Sequence, residues 1–255
     1  MRGEKTKYAC RVFFEELSKS DFFIKENGMT FIITPTCARC NRLFGVGEVE
    51  EVEKRGNISK IRINDLTTSL NIYTNKQFIT ANTAEKRAFI AFIGNLHARE
   101  GAGSVIILAE EVEAVEENVR NNWILTTAKR TMERIEKLRN RSFGWQRSLI
   151  ADGNTKREDF WDALEHYAIY DDKLDELAKM VIKAVKGVWQ NYSKTTEEMI
   201  LEILENTKCM EQDKLIKELM KKGLEEAWVE EVINELIEGG RCYAPEAGVL
   251  EVVEG

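Results

Sequence analysis

The sequence is poor in the residues from which catalytic and metal centres are most often built. Its 255 residues include only two histidines and two prolines. His97 and His166 lie far apart, and no second Cys-x-x-Cys pair accompanies Cys37 and Cys40 to complete a four-ligand zinc site. The sequence also contains no nucleophilic triad, no glycine-rich phosphate loop and no catalytic carboxylate pair that we recognise. We therefore predict that the protein is not an enzyme and needs no cofactor.

Long apolar runs are absent as well. No run approaches the roughly 18 apolar residues that cross a bilayer, and the polar N-terminus lacks the apolar core of a secretory signal. The five cysteines are odd in number and scattered, which is typical of free thiols in a reducing compartment. These features predict an intracellular protein, located in the cytoplasm.

Charge is unevenly distributed along the chain, whose net charge is −7. Residues 1–113 carry 16 basic and 15 acidic side chains, residues 114–150 carry eight and four, and residues 193–255 carry seven and sixteen. A near-neutral N-terminal part binds phosphate only weakly through bulk electrostatics. The acidic C-terminal part repels a phosphate backbone and favours basic protein partners.

Apolar residues alternate with period two between Asn41 and Val115, which predicts an antiparallel β domain. The five predicted strands are Leu43–Val52, Ile58–Asn64, Ser69–Thr74, Arg87–His97 and Ser104–Val115. Five short strands in about 75 residues match a small Greek-key barrel of the OB type, or another small β-barrel or sandwich. Cys37 and Cys40 are interpreted as leading into the first strand, and Gly45 and Gly47 as marking a bulge in it. A redox or zinc site at the two cysteines is the alternative.

The period becomes helical beyond Val115. A stripe at 3.5-residue spacing is typical of a helix that packs against another helix, and its members are Ile124, Ala128, Thr131, Ile135 and Leu138. In the last sixty residues, a capping box at Thr195–Glu198 and two glycine-terminated helical segments precede a hairpin. Three helices followed by a hairpin is the order of a winged helix.

The predicted fold class is therefore α+β, with a five-stranded OB-fold β-barrel followed by helices and a C-terminal winged-helix domain. The predicted domains are an OB-fold domain with an N-terminal extension (1–115), an assembly helix (116–140), a helical linker region (141–192) and an acidic winged-helix domain (193–255).

The barrel offers one candidate nucleic-acid surface. OB faces bind single strands with aromatic side chains under the bases and Lys or Arg along the phosphates. If Ile61, Ile63, Leu70 and Ile72 point inward, alternation turns their neighbours outward. The predicted nucleic-acid-binding residues are Arg39, Arg42, Phe44, Lys60, Arg62, Asn71, Tyr73 and Lys76. Ordinary surface charge, with Phe44 and Tyr73 partly in the core, is the alternative.

Several segments together resemble one known family. The sequence RVFFEEL begins at Arg11, TPTCARCNRLFGVGEVEEVE at Thr34, and RAFIAFIGNLHAREG at Arg87. Two helical segments follow in the family's order, NNWILTTAKRTMERIEKL and ALEHYAIYDDKLDELAKMVIKAV. Together they resemble the archaeal replication protein A-associated OB-fold subunit, which is similar in layout to the middle subunit of replication protein A.

This resemblance implies a subunit of a single-stranded-DNA-binding complex in replication, repair and recombination, associated with the nucleoid. It implies that the stripe beginning at Ile124 packs against other subunits of a hetero-oligomer, and that the winged helix recruits replication and repair proteins. Two alternatives stay open. One is an interaction adaptor that does not contact DNA, and the other is a regulator whose winged helix binds duplex DNA, against which the acidity of residues 193–255 argues.

Overall fold

The structure is a computed structural model, and it describes residues 8–75, 87–99, 104–140 and 157–253. The chain divides into two compact units, which we call unit 1 (Met1–Lys186) and unit 2 (Gly187–Gly255). The helices and strands are α1 (Phe14–Ser18), β1 (Phe22–Glu26), β2 (Met29–Ile33), β3 (Arg39–Cys40), β4 (Arg42–Arg55), β5 (Ile58–Asn64), β6 (Ser69–Thr74), β7 (Phe89–Arg99), β8 (Ser104–Val115), α2 (Glu117–Arg139), α3 (Arg157–His166), α4 (Asp171–Thr207), β9 (Cys209–Glu211), α5 (Gln212–Lys221), α6 (Glu226–Glu238), β10 (Cys242–Tyr243) and β11 (Val249–Val252).

Five strands of unit 1 close into a barrel in the order β4–β5–β6–β8–β7. The β6–β8 pair is parallel, and the other pairs are antiparallel. The bounds of β5, β6 and β8 match the predicted strands, while β4 and β7 differ from them by one to three residues. The chain is thus an α+β protein that contains a closed, OB-like five-stranded barrel.

Gly45 and Gly47 do not mark a bulge, so that prediction is wrong. The bulge in β4 lies between Val49 and Glu51, where the register with β5 shifts. A Cβ on Gly45 would lie 2.4 Å from the ring of Phe92, and one on Gly47 would lie 2.7 Å from the Asn64 carbonyl oxygen. A side chain at either position would collide with its neighbour, so both glycines allow the barrel to pack closely against β4 and do not serve to bend that strand.

The N-terminal extension forms a small sheet of its own, β1–β2–β3, which the sequence analysis did not predict. Strands β1 and β2 are joined at Asn27 and Gly28, whose φ angles are 50° and 75°. Positive φ at both positions is the requirement of a type I′ hairpin turn. Tyr167, the residue after α3, contacts this hairpin. Its hydroxyl accepts hydrogen bonds from the backbone N–H groups of Asp21 and Phe22, and donates one to Ile33 O at 2.7 Å.

Two of the five cysteines are joined, contrary to the expectation of free thiols only. Cys10 and Cys40 form a disulfide across 30 residues, with Cα atoms 5.4 Å apart. The pairing escapes prediction because Cys10 is brought close to Cys40 by a backbone bridge to Leu43 of β4, a long-range contact that the sequence does not specify. Cys37, Cys209 and Cys242 are not part of a disulfide.

Unit 2 combines helices with a three-stranded antiparallel sheet in the order β10–β11–β9. Its core holds apolar side chains from the C-terminal part of α4, from α5 and α6, and from the sheet. The capping box predicted at Thr195–Glu198 is wrong, because α4 continues through it to Thr207. Within the described residues, no helix is both long and apolar enough to cross a bilayer.

Candidate nucleic-acid interface

Of the four residues predicted to point inward on β5 and β6, Ile61, Ile63 and Ile72 are fully buried and Leu70 is half-buried. The residues that alternate with the three isoleucines therefore face outward. The register pairs Lys60 with Tyr73, and Arg62 with Asn71. Four of the predicted nucleic-acid-binding residues are therefore direct cross-strand neighbours on the outer surface of the barrel.

This outward set continues onto strands that the sequence could not assign to it. Leu108 of β8 pairs with Tyr73 and is 44% exposed, and Asn95 of β7 pairs with Leu108. Asn95 in turn pairs with Arg42 of β4. We call Lys60, Tyr73, Leu108, Asn95 and Arg42 the outer row. Leu108 could not be found from the sequence, since its place beside Tyr73 depends on the parallel pairing of β6 with β8.

The cations of this surface already have carboxylate partners within the chain. The ion pairs are Lys60 with Glu53 at 2.9 Å, Arg62 with Glu50 at 3.0 Å, and Arg42 with Glu110. Asn95 also donates a hydrogen bond to Glu110, at 2.6 Å. A phosphate that binds here must therefore displace a carboxylate, so the outer row supplies little net positive potential.

The pKa values of the carboxylates reflect these contacts. Burial raises the pKa of Glu50, but hydrogen bonds from Ser69, Asn64 and Arg62 outweigh it, and the pKa lies below its ordinary value. The hydrogen bond from Lys60 lowers the pKa of Glu53. Both carboxylates thus keep their charge at neutral pH and compete with an incoming phosphate.

The remaining predicted site residues are dispersed. Arg39 lies on β3 of the N-terminal sheet, where its side chain stacks 3.9 Å from the centroid of the Phe31 ring and pairs with Glu26, so it does not join the barrel surface. Phe44 faces outward on β4, with the guanidinium of Arg11 4.9 Å from its ring centroid. Lys76 lies outside the described residues.

The predicted subunit-interface stripe on α2 is buried within unit 1. Its five members are at most 5% exposed: Ile124, Ala128, Thr131, Ile135 and Leu138. Helix α2 is anchored to the barrel by Trp123, whose Nε1 donates to Phe44 O at 3.3 Å. It is anchored to the N-terminal sheet by Arg134, which hydrogen-bonds Thr36 Oγ1 at 2.7 Å. The assembly role of α2 stays a prediction, but these side chains are occupied inside the chain.

The strand order and the outer row together describe an OB-like barrel with a polar and aromatic outer surface. The chain is similar to part of a replication protein A heterotrimer bound to ssDNA, with 11% identity over 50% of this chain and 98% of the other, at a TM-score of 0.39. It is similar to part of the Stn1–Ten1 complex of S. pombe, with 10% identity over 50% of this chain and 93% of the other, at a TM-score of 0.40.

A third similar structure is the aspartyl tRNA synthetase of Entamoeba histolytica, with 10% identity over 66% of this chain and 35% of the other, at a TM-score of 0.24. No protein-family model and no curated protein matches the sequence. Likenesses at these TM-scores carry no weight for function. The OB-like description of the barrel rests on its own strand pairing.

Proposed function

We propose that this chain is a non-enzymatic subunit of an archaeal single-stranded-DNA-binding complex of the replication protein A type. Its barrel binds the single strand, and its role lies in replication, repair and recombination at the nucleoid. The observation that carries the proposal is the pairing of Lys60 with Tyr73 and of Arg62 with Asn71 on the outer barrel surface. An aromatic ring between long basic side chains matches the stacking and phosphate contacts that single strands require.

Unit 2 serves in this proposal as a winged helix that recruits other proteins. The support is its order of helix, strand, helix, helix and hairpin, from α4 to β11. Helix α6, which would be the recognition helix, carries Glu226, Glu230, Glu231, Glu235 and Glu238 and no basic residue. Such a helix repels a duplex backbone, which argues against a duplex-DNA regulator.

A partner subunit would contact the outward side of α2, because the stripe predicted for this contact is buried. Val119 and Leu125 are 41% and 44% exposed on that side. Both are apolar side chains without a place in the core of unit 1. They are the side chains of α2 that we assign to hetero-oligomer assembly.

The second candidate function is an interaction adaptor that never contacts DNA. The ion pairing of Lys60, Arg62 and Arg42 favours it, because a surface that has neutralised its own cations attracts phosphate weakly. The two candidates differ in whether the chain alone binds a single strand.

Fluorescence anisotropy of a labelled single-stranded oligonucleotide, titrated with the full chain beside the matching duplex, tests the proposal. We expect the chain to prefer the single strand to the duplex. We expect Tyr73→Ala to lose about 1–3 kcal/mol of binding free energy for the single strand, because one stacking platform is removed. Tyr170→Ala is the control, since Tyr170 is 72% exposed and lies outside the barrel. Absence of micromolar single-strand binding by the unmodified chain would overturn the proposal in favour of the adaptor.

A further inference from the structure

Two arginines beside the outer row differ from the cations already described. Arg11 precedes α1, and Arg130 is exposed on α2. In the part of the chain that the structure describes, neither has a carboxylate within ion-pair distance, whereas Arg42, Arg62 and Lys60 all do.

Arg11 is held in place by its neighbours in the backbone. Cys10 N donates to Arg42 O at 2.7 Å, and Phe44 N donates to Cys10 O at 2.8 Å, so the segment runs alongside β4. The Cys10–Cys40 disulfide ties the same segment to β3. The guanidinium of Arg11 is thereby fixed 4.9 Å from the centroid of the Phe44 ring.

Arg130 follows Trp123 by seven residues on α2, which places it about two turns further along the same side of that helix. Its helix is fixed to β4 because Trp123 Nε1 donates to the carbonyl of Phe44, the residue whose ring lies under Arg11. Burial lowers the pKa of Arg11, and the nearby charge of Arg130 lowers it further. A second positive charge near enough to lower the pKa of Arg11, with no carboxylate partner for either arginine among the described residues, favours the binding of an anion here.

The site adjoins the outer row. Phe44 and Arg42 are two residues apart on β4 and face the same way, which separates them by about 7 Å along the strand. An anionic backbone that crosses Tyr73, Leu108 and Asn95 therefore reaches Arg42 and then this pair.

We propose that Arg11, which lies over the ring of Phe44, and Arg130 of α2 form a phosphate-backbone site that continues the outer row. The inference rests on the proposed function, since it names where the single strand leaves the β5–β6 surface. The paired cations of the row then serve mainly to orient the strand. The salt-sensitive part of the affinity comes from these two arginines.

The test is the salt dependence of single-strand binding by the full chain with Arg11→Gln and Arg130→Gln together. Each phosphate contact contributes about −0.7 to the slope of log K against log salt for a single strand. We expect the double variant to flatten that slope by about 1.4, and Arg130→Gln alone by about 0.7. Because Arg130 is exposed, the single variant remains informative even if the double variant is less stable.

The charge-matched control is Lys183→Gln with Lys186→Gln, two exposed lysines of α4 that have no carboxylate partner among the described residues. We expect the control to keep the slope of the unmodified chain. If the chain binds single strands and both arginine variants keep the salt-dependence slope of the unmodified chain, the assignment of this site is wrong while the proposed function stands. If the unmodified chain does not bind at all, the proposed function fails and the site fails with it.

Discussion

Asp65 lies wholly buried in the turn between β5 and β6, where it also reaches the start of α1. Its Oδ2 accepts a hydrogen bond from Phe14 N at 2.7 Å, and its Oδ1 accepts from the N–H and hydroxyl of Thr67. Burial nevertheless raises the pKa of Asp65 to about 6, against the effect of these hydrogen bonds. The Asp65 carboxyl thus joins the barrel to α1, and its protonation state depends on the pH of the solution.

The raised pKa predicts a pH-dependent stability. The folded state holds the proton of Asp65 more tightly than the unfolded state does. The stabilisation that this protonated carboxyl contributes is therefore fully present below pH 3.8, and it is lost as the pH rises through about 6. The loss amounts to about 3 kcal/mol in the free energy of unfolding. Urea titrations of the unmodified chain and of Asp65→Asn from pH 4 to pH 7 measure it.

Asp65→Asn lacks the titrating group, so the difference between the two unfolding free energies should change with pH in that window. Other carboxylates, such as Glu50, titrate in both proteins and cancel in the difference. Parallel curves for the two proteins would contradict the assignment to Asp65.

At the scale of the element, α2 is a core helix as well as a surface one. Ile135 is fully buried, and Leu125 is 44% exposed on the same helix. We expect Ile135→Asp to lower the free energy of unfolding of unit 1 by about 4 kcal/mol or more, because it removes a packed side chain and buries a charge. Leu125→Asp should cost less than about 1 kcal/mol. Thermal or urea unfolding of the two variants makes the comparison.

The same pair of variants separates folding from assembly. Leu125→Asp should leave the chain folded and weaken its association with partner subunits in sizing chromatography. Ile135→Asp is unsuitable for that purpose, since loss of assembly would follow from loss of the fold. Equal stability of the two variants would mean that α2 does not pack on the barrel as described.

Strands were more predictable than the other elements, for local reasons. The bounds of β5 and β6 follow from alternation and from the polar turn between Arg55 and Ile58, and both are short-range signals. The β1–β2 hairpin was also within reach, because Asn27-Gly28 between two apolar runs is a strong hairpin signal. What the sequence could not reveal is the parallel β6–β8 pairing, which joins residues more than 30 positions apart.

The course of α4 shows why a local signal misled the prediction. Thr195 and Thr196 look like capping residues, but their hydroxyls donate to the carbonyls of Asn191 and Tyr192, four residues earlier, at 2.9 Å. Such bonds satisfy a threonine inside a helix. Thr196 is also buried, and it accepts a hydrogen bond from Trp228 Nε1 of α6. Its role therefore depends on a tertiary contact that the sequence does not specify.

At the scale of the whole molecule, the two units differ most in charge. Unit 2 carries seven basic and sixteen acidic side chains, so it cannot supply the phosphate contacts of a single strand. Alternation alone predicted which barrel side chains face outward. Their ion pairs were not predictable, because Glu50, Glu53 and Glu110 reach them from other strands. Arg42, Lys60 and Arg62 are neutralised by these ion pairs, and two arginines without a carboxylate partner among the described residues, Arg11 and Arg130, lie nearby.

In the proposed function, the outer surface of β5 and β6 contacts the single strand. Photo-cross-linking of a 4-thiothymidine oligonucleotide to the full chain, followed by mass spectrometry of the peptides, locates the contact directly. We predict cross-links in Ile58–Thr74, at Tyr73 above all, and in the part of β8 that contains Leu108. Cross-links confined to Gly187–Gly255 would contradict the claim, because they would assign DNA contact to the acidic unit instead of the barrel.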